Sequence, residues 1–333
     1  EKVEGMSFDS LSAGLGTDWP FTTFPDYLDL LERKGSAINV AALIGHTPLR
    51  LWVMGADATE REATPQEIEA MAALVREAVA AGAIGFSTSQ AATHHGDGGR
   101  PVPSRLASFE EIDSLVGAMA KSGGNIFQAA MGRTLSDKHF IELARRHGIA
   151  ITWTALLADM VGPGSHRRYL DSAGAMQEDG LNVVPQVACR PIMFDFNFLE
   201  PYPFELLATF KAIMQADHAG KLAAYADPEF RQAFRAESAP DAKNVNAGWA
   251  QRAEISRYDP EPALENRALA EVAAQRGVDP IDLALDMAIE TGLESRIRFG
   301  FLNHNEAGIE ELITDDRTVI TLSDAGAHAD QLC

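Results

Sequence analysis

Apolar and polar positions along the chain follow two periods in turn. Short runs rich in β-branched and aromatic residues, Ile38 to Ile44, Ile84 to Thr88, Asn125 to Ala130, Ala150 to Thr154 and Leu181 to Val187, read as strands. Between them, apolar residues recur at three- and four-residue spacing, which predicts helices over Phe24 to Lys34, from Pro65 to Val79, over 108–121 and 137–147, and near 167–178. Thr64 is a good N-cap, Pro65 fits the first helical position and Glu67 completes a capping box, while Gly35 and Gly82 close the first two helices. Helix and strand alternate every ~25 to 40 residues, the signature of βαβ units and a parallel sheet.

From Pro191 to about Ala250 the alternation gives way to aromatic and proline-containing sequence, with short helices expected at 204–215 and 227–236. This stretch, about 190–250, reads as a lid-like excursion over a barrel mouth within one domain covering 1–333. Regularity resumes at Leu264 to Arg276, and Asp279-Pro280 starts a helix through Glu290. Arg296 to Leu302 is a further strand, 306–314 a short helix, and Thr318 to Leu322 the last strand. About seven strands result. The fold class is α/β, with a (β/α)8 TIM barrel one strand short of closure and a doubly wound sheet as the two architectures that fit.

A hydrophobic content of 46% over 333 residues supports a sizeable core. The net charge of −20 opposes binding to nucleic acid or an anionic membrane surface, and no apolar run approaches the ~20 residues of a membrane-spanning helix. Cys189 and Cys333 are the only cysteines, too few for a disulfide framework, so the cytoplasm is the expected location. The chain begins at Glu1 without an initiator Met and stops close to its most site-like segment; it is expected to be a piece of a longer protein.

That segment is Thr318 to Asp330. A hydrophobic strand runs into a small-residue turn carrying Asp324 and, four residues on, His328. A barrel keeps its catalytic groups at the C-terminal ends of its strands, so Asp324 is placed to hold a metal or move a proton; the alternative is a carboxylate that only accepts backbone N–H groups in a turn. His46, His94, His95, His304 and His328 all follow strand-like runs, whereas His139, His147, His166 and His218 fall in helices or loops and read as surface residues. Several imidazoles and one carboxylate at strand ends point to a metal-assisted hydrolase, because a divalent ion needs such ligands to converge; the alternative is that individual imidazoles satisfy loop hydrogen bonds. HExxH, CxxC, GxGxxG, P-loop and GxSxG motifs are absent. Ser87 can donate a hydrogen bond in the mouth. Arg50, Arg105 and Arg133 are the cations nearest strand ends, suited either to a substrate carboxylate or to structural ion pairs. Phe194, Phe196, Phe198 and Tyr202 fit an acyl pocket or ordinary packing.

The runs Asn39 to Arg50 with Gly45-His46 and Leu49-Arg50, Val53-Met54-Gly55, and Ala81-Gly82-Ala83-Ile84-Gly85-Phe86-Ser87-Thr88-Ser89 resemble the D-aminoacylases, N-acyl-D-amino-acid deacylases of the amidohydrolase superfamily. Ser323 to His328 resembles that family's final barrel strand, and Gly277 to Pro280 its preceding helices; the middle, 130–250, resembles it least. The resemblance implies a (β/α)8 amidohydrolase barrel with zinc at its mouth and a separate small β-domain, here an incomplete barrel lacking the first strands and that β-domain. It implies hydrolysis of a non-peptide C–N bond in a small N-acyl amino acid, with Asp324 as both metal ligand and catalytic base. Ser87, Arg105, His304 and His328 are the expected substrate contacts. The family's first ligands would lie upstream of Glu1. An ungapped reading sets Ala130 and Ala155 where the family carries metal-binding histidines, so His94 and His95 are expected to stand in as ligands. A cyclic-amide or carbamate hydrolase, or a non-catalytic member that binds a small acyl compound, is the alternative.

Overall fold

The computed structural model of the protein describes residues 19–96, 100–132 and 134–321. In chain order its strands are β1 (Leu43–Gly45), β2 (Gly85–Ser89), β3 (Ile126–Ala130), β4 (Ala150–Leu156), β5 (Val183–Val187), β6 (Ile192–Asn197), β7 (Ala253–Arg257), β8 (Arg296–Leu302) and β9 (Val319–Ile320). The helices are α1 (Phe24–Lys34), α2 (His46–Met54), α3 (Pro65–Ala81), α4 (Phe109–Lys121), α5 (Asp137–His147), α6 (Ser165–Glu178), α7 (His218–Ala226), α8 (Pro228–Glu237), α9 (Leu269–Arg276), α10 (Pro280–Glu290) and α11 (Glu306–Ile313). Packing divides the chain into two units. The first holds the described residues up to Leu156, His166–Cys189 and those from Glu311 onward; the second holds Leu157–Ser165 and Arg190–Glu310.

The first unit is built on a parallel sheet in the order β1-β2-β3-β4-β5-β9. Its helices begin where the sequence places them: Thr64 accepts from the Glu67 backbone N–H while the Glu67 carboxylate answers the Thr64 N–H, a reciprocal cap that satisfies two otherwise orphaned donors. Between the second and third strands Gly85 lies opposite Ile126, and a Cβ at Gly85 would collide with the Ile126 carbonyl. The residue is therefore a close-approach glycine. One face of the sheet, Phe86, Phe127, Ile151, Trp153 and Val183, is buried, and Phe86 and Phe127 stack at 5.8 Å. Met71 and Val75 of α3, Ile112 and Leu115 of α4, and Phe140 and Leu143 of α5 are buried too, giving the apolar stripe each helix turns to the core.

One expectation changes here. The first strand shrinks to Leu43–Gly45, with Ile38 and Val40 exposed, and His46, read as following that strand, opens the helix α2. Among the described residues the strand pairings run from β1 to β9 in one parallel sheet, which is the α/β class expected.

The second unit contains a three-stranded antiparallel sheet in the order β6-β8-β7. Arg296 to Leu302, expected to continue the parallel series, is its central strand. The reason is one-sided burial: Ile297 and Phe299 face an aromatic core, while Arg296 pairs with Asp195 at 2.6 Å and Arg298 with Glu254 at 2.8 Å on the other face. Phe196, Phe198, Phe204, Phe210, Phe234 and Trp249 fill that core, with neighbouring rings 4.8–6.3 Å apart in mostly tilted and edge-on pairs. Phe196 and Phe198, offered as acyl-pocket residues, are core side chains, and Phe194 and Tyr202 pack against the same cluster. The expected excursion at about 190–250 falls inside this unit, which continues to Glu310. Among the described residues no helix is long and apolar enough to cross a membrane.

Candidate active site at the C-terminal edge of the parallel sheet

Because the strands of the first unit run parallel, their C-terminal ends at Gly45, Ser89, Ala130, Leu156, Val187 and Ile320 share one edge, and the loops leaving them gather there. The loop after β2 is tied down by its own side chains. Gln90 donates its backbone N–H to the Ala130 carbonyl at 3.0 Å and its carboxamide to the Ser104 carbonyl, and accepts from Thr134 Oγ1 at 2.5 Å. Ser104 Oγ donates to the Ser89 carbonyl at 2.8 Å. A bridge between His95 and Pro101 closes the loop on itself.

Within this loop His94 Nδ1 lies 2.6 Å from Ser89 Oγ, and Arg105 donates from Nη1 to the His94 carbonyl at 2.9 Å. His95 Nδ1 lies 3.0 Å from the Thr93 carbonyl. A carbonyl only accepts, so the proton of the neutral His95 ring sits on Nδ1 and Nε2 keeps a lone pair. Ser87, His94, His95 and Arg105 thus share one unit and one edge. His304 belongs to the second unit, where burial first and the Arg252 charge second hold its imidazole below the ordinary histidine range. Its neighbours serve the scaffold: Asn303 accepts from the Ala158 N–H at 2.8 Å and donates to the Arg190 carbonyl at 3.0 Å, and Asn305 donates to Asp159 at 2.7 Å. Asp324, His328 and Arg133 lie outside the described residues.

The donor set decides what the edge can hold. Ala130 ends β3 and Ala155 sits near the end of β4, and neither carries a ligand atom. Among the described residues no three His, Cys, Asp or Glu side chains are grouped closely enough to hold a metal ion. His94 and His95 therefore do not form a metal centre with the described residues alone, and a zinc site would need ligands beyond them.

Sequence reasoning missed the most tightly knit polar group in the unit. His46, at the start of α2, is 1% exposed; its Nδ1 lies 2.8 Å from Thr88 Oγ1 and its Nε2 2.8 Å from Glu111 Oε1. Arg50, one turn later, reaches both Glu111 oxygens from Nη1 at 2.6 and 2.5 Å and donates from Nη2 to the Arg61 carbonyl at 2.7 Å. Arg50 and Glu111 are fully buried, so Arg50, offered as a substrate clamp, is spent on a structural ion pair. The carboxylate accepts from His46 Nε2–H, which leaves Nδ1 to accept from the Thr88 hydroxyl, and every hydrogen bond of a neutral imidazole is met. Burial pushes the His46 imidazole below its ordinary value, with its hydrogen bond to Glu111 opposing it. Burial would raise the Glu111 carboxyl, but the hydrogen bonds from His46 and Arg50 and the Arg50 charge prevail and hold it low. A signal was present: Ser108 caps α4 by accepting from the Glu111 N–H, and a Glu at that position ordinarily reaches back to the cap; here its carboxylate goes to His46 and Arg50 instead. His166, read as a surface residue, is also buried, 3.3 Å from Glu311.

No family model matches the chain. An uncharacterized protein of Mycobacterium tuberculosis is 24% identical over 367 residues, covering 98% of this chain and 56% of that protein. The D-aminoacylase of Alcaligenes xylosoxydans xylosoxydans is 38% identical over 109 residues, 33% of this chain and 20% of the enzyme. Among solved structures, the N-acyl-D-glutamate deacylase of Bordetella bronchiseptica, complexed with zinc and a phosphonate mimic of the tetrahedral intermediate, aligns with a TM-score of 0.53 at 21% identity, over 93% of this chain and 53% of that one. At that identity the likeness is one of fold. The chain spans about half the length of the relatives that match it from end to end.

Proposed function

The chain is related to the D-aminoacylases in sequence and fold, and on that premise we propose that the protein carrying it is an amide hydrolase that removes the acyl group from N-acyl-D-amino acids, giving a carboxylate and a free amine. The observation that carries this reading is the 38% identity to a D-aminoacylase over 109 residues, in a chain whose fold aligns with that of an N-acyl-D-glutamate deacylase. In this reading Asp324, which follows β9 in the sequence, is the proton acceptor for the attacking water. Ser87 and Arg105, at the C-terminal edge of the first unit, contact the substrate, and His328 is a further contact in the same reading. A divalent metal belongs to this reading through Asp324, His94, His95 and ligands outside the described residues.

The test is amine release by the full-length protein from matched N-acetyl-D- and N-acetyl-L-amino acids and from hydantoins, each with zinc supplied and with chelator. D-selective release supports the proposal. Turnover of hydantoins alone, or of no substrate, overturns it. Ala130 and Ala155 favour a second reading, a member that binds a small acyl compound without cleaving it; saturable binding of N-acetyl-D-amino acids, with no zinc by elemental analysis and no turnover, is its outcome.

A further inference from the structure

The two faces of the parallel sheet in the first unit are chemically opposite. Strand side chains alternate, so the residues between Phe86, Phe127, Ile151 and Val183 point the other way. The register aligns Ser87 with Gln128, Gln128 with Thr152, and Thr152 with Val184; two residues onward, Ser89 aligns with Ala130 and Ala130 with Thr154. The second face therefore carries a row of hydroxyl, carboxamide and hydroxyl on three adjacent strands, with Ser89 and Thr154 one step nearer the C-terminal edge. The buried face is apolar at the matching positions, whereas Ser87, Gln128 and Thr152 are only partly covered. Thr152 Oγ1 is itself shielded and has no hydrogen-bond partner among the described residues.

A parallel-sheet face packed into a dry core carries Val, Ile and Leu, and a shielded hydroxyl without a partner costs free energy. A row of three polar uncharged side chains running toward the edge that holds the candidate site is what a ligand wall needs instead. Its chemistry selects the ligand. None of the five polar groups is ionisable near neutral pH, so the row offers no counter-charge to a carboxylate. The Gln128 carboxamide presents N–H donors beside a carbonyl acceptor, the complement of another amide, and the flanking hydroxyls each donate or accept.

We propose that Ser87, Gln128 and Thr152 form the subsite that binds the uncharged amide portion of the substrate, with Gln128 pairing with that amide and the two hydroxyls beside it, so that any substrate carboxylate is bound elsewhere. This deepens the deacylase reading and rests on it for the identity of the substrate; the amide selectivity of the row stands on its own geometry.

The experiment measures binding of N-acetyl-D-leucine amide, a neutral ligand, and N-acetyl-D-leucine, its carboxylate counterpart, to the full-length protein by calorimetry, alongside KM and kcat for N-acetyl-D-leucine. Gln128→Leu and Thr152→Val are each expected to weaken both ligands roughly three- to tenfold, the range of one neutral hydrogen bond, and to raise KM in step. Gln128→Glu keeps the shape but replaces the N–H donors with a charge, so it is expected to weaken the two ligands unequally, the carboxylate more. Circular dichroism and melting of each variant establish that it is folded, and a misfolded Gln128→Leu leaves Gln128→Glu and Thr152→Val to decide. Unchanged affinity and KM in the folded variants overturn the proposal even if deacylation is found. Amide binding that is lost in the variants, in a protein that does not deacylate, upholds the subsite and refutes the deacylase reading.

Discussion

Replacing Glu111 with Gln removes the carboxylate that pairs with Arg50 while leaving the side-chain shape nearly unchanged. Arg50 is fully buried and makes its shortest contacts, 2.6 and 2.5 Å, to the two Glu111 oxygens; its Nε has no partner among the described residues. Breaking a buried pair by removing one member costs about 3–5 kcal/mol, because the surviving charge is left in a poorly solvated site. The Glu111→Gln chain is therefore expected to lose about 3–5 kcal/mol in urea denaturation, whereas Arg50→Met with Glu111→Leu, which removes both charges together, is expected to lose less than the single change. His46 adds a pH signature. Its imidazole is held below the ordinary value of 6.5, so the folded protein refuses a proton that the unfolded chain accepts, and stability falls as pH drops through about 6.5. The Glu111 carboxyl is likewise depressed, so its contribution is present above its ordinary value of 4.5 and is lost as pH falls below it. Stability measured from pH 8 to 4 should decline on the acid side, and His46→Gln should flatten the upper part of that decline. A cost below about 1 kcal/mol for Glu111→Gln, or an unchanged pH profile in His46→Gln, would refute the view of this cluster as a neutral-histidine, buried-ion-pair clamp.

Gly85→Ala places a methyl group on the Ile126 carbonyl between two central strands, so it is expected to destabilise the chain by at least about 1–3 kcal/mol, read as a lowered melting temperature; an unaltered melt would show that the strands can part at no cost. Asp324→Asn in the full-length protein should cut turnover by two or more orders of magnitude with the melting temperature unchanged, and near-normal turnover removes Asp324 from the mechanism. His94→Ala and His95→Ala test the ligand assignment by zinc content: full retention of bound zinc in both means that neither holds it.

Local chemistry made much of the first unit legible. The capped start of α3 at Thr64-Pro65-Glu67, the span of α1 and α5, and the run of strands from Gly85 to Val187 follow from side-chain period and from the few residues that can begin or end a helix, both of which act over one or two turns of chain. The placement of Ser87 within β2 and of His94, His95 and Arg105 in the segment that leaves it was legible, because a parallel strand delivers its C-terminal end to a known edge. The rest depended on pairing across distance. Arg296 to Leu302 read correctly as a strand, but its antiparallel partners lie about a hundred residues upstream at Ile192–Asn197 and some forty upstream at Ala253–Arg257, and an apolar run carries no mark of which neighbour it will meet or in which direction. The aromatic residues around Phe196 looked like a pocket or a core with equal right, and only closure of the second unit buried them. Glu111 lies 65 residues from His46 and had an ordinary capping role open to it, so its capture by His46 and Arg50 is a decision of tertiary packing. Sequence by itself determined which segments become helix and strand, since hydrogen bonding and side-chain period are local. The tertiary structure alone decided which strands pair, which rings are core and which charges meet, because those energies are gained only when distant segments exclude water together.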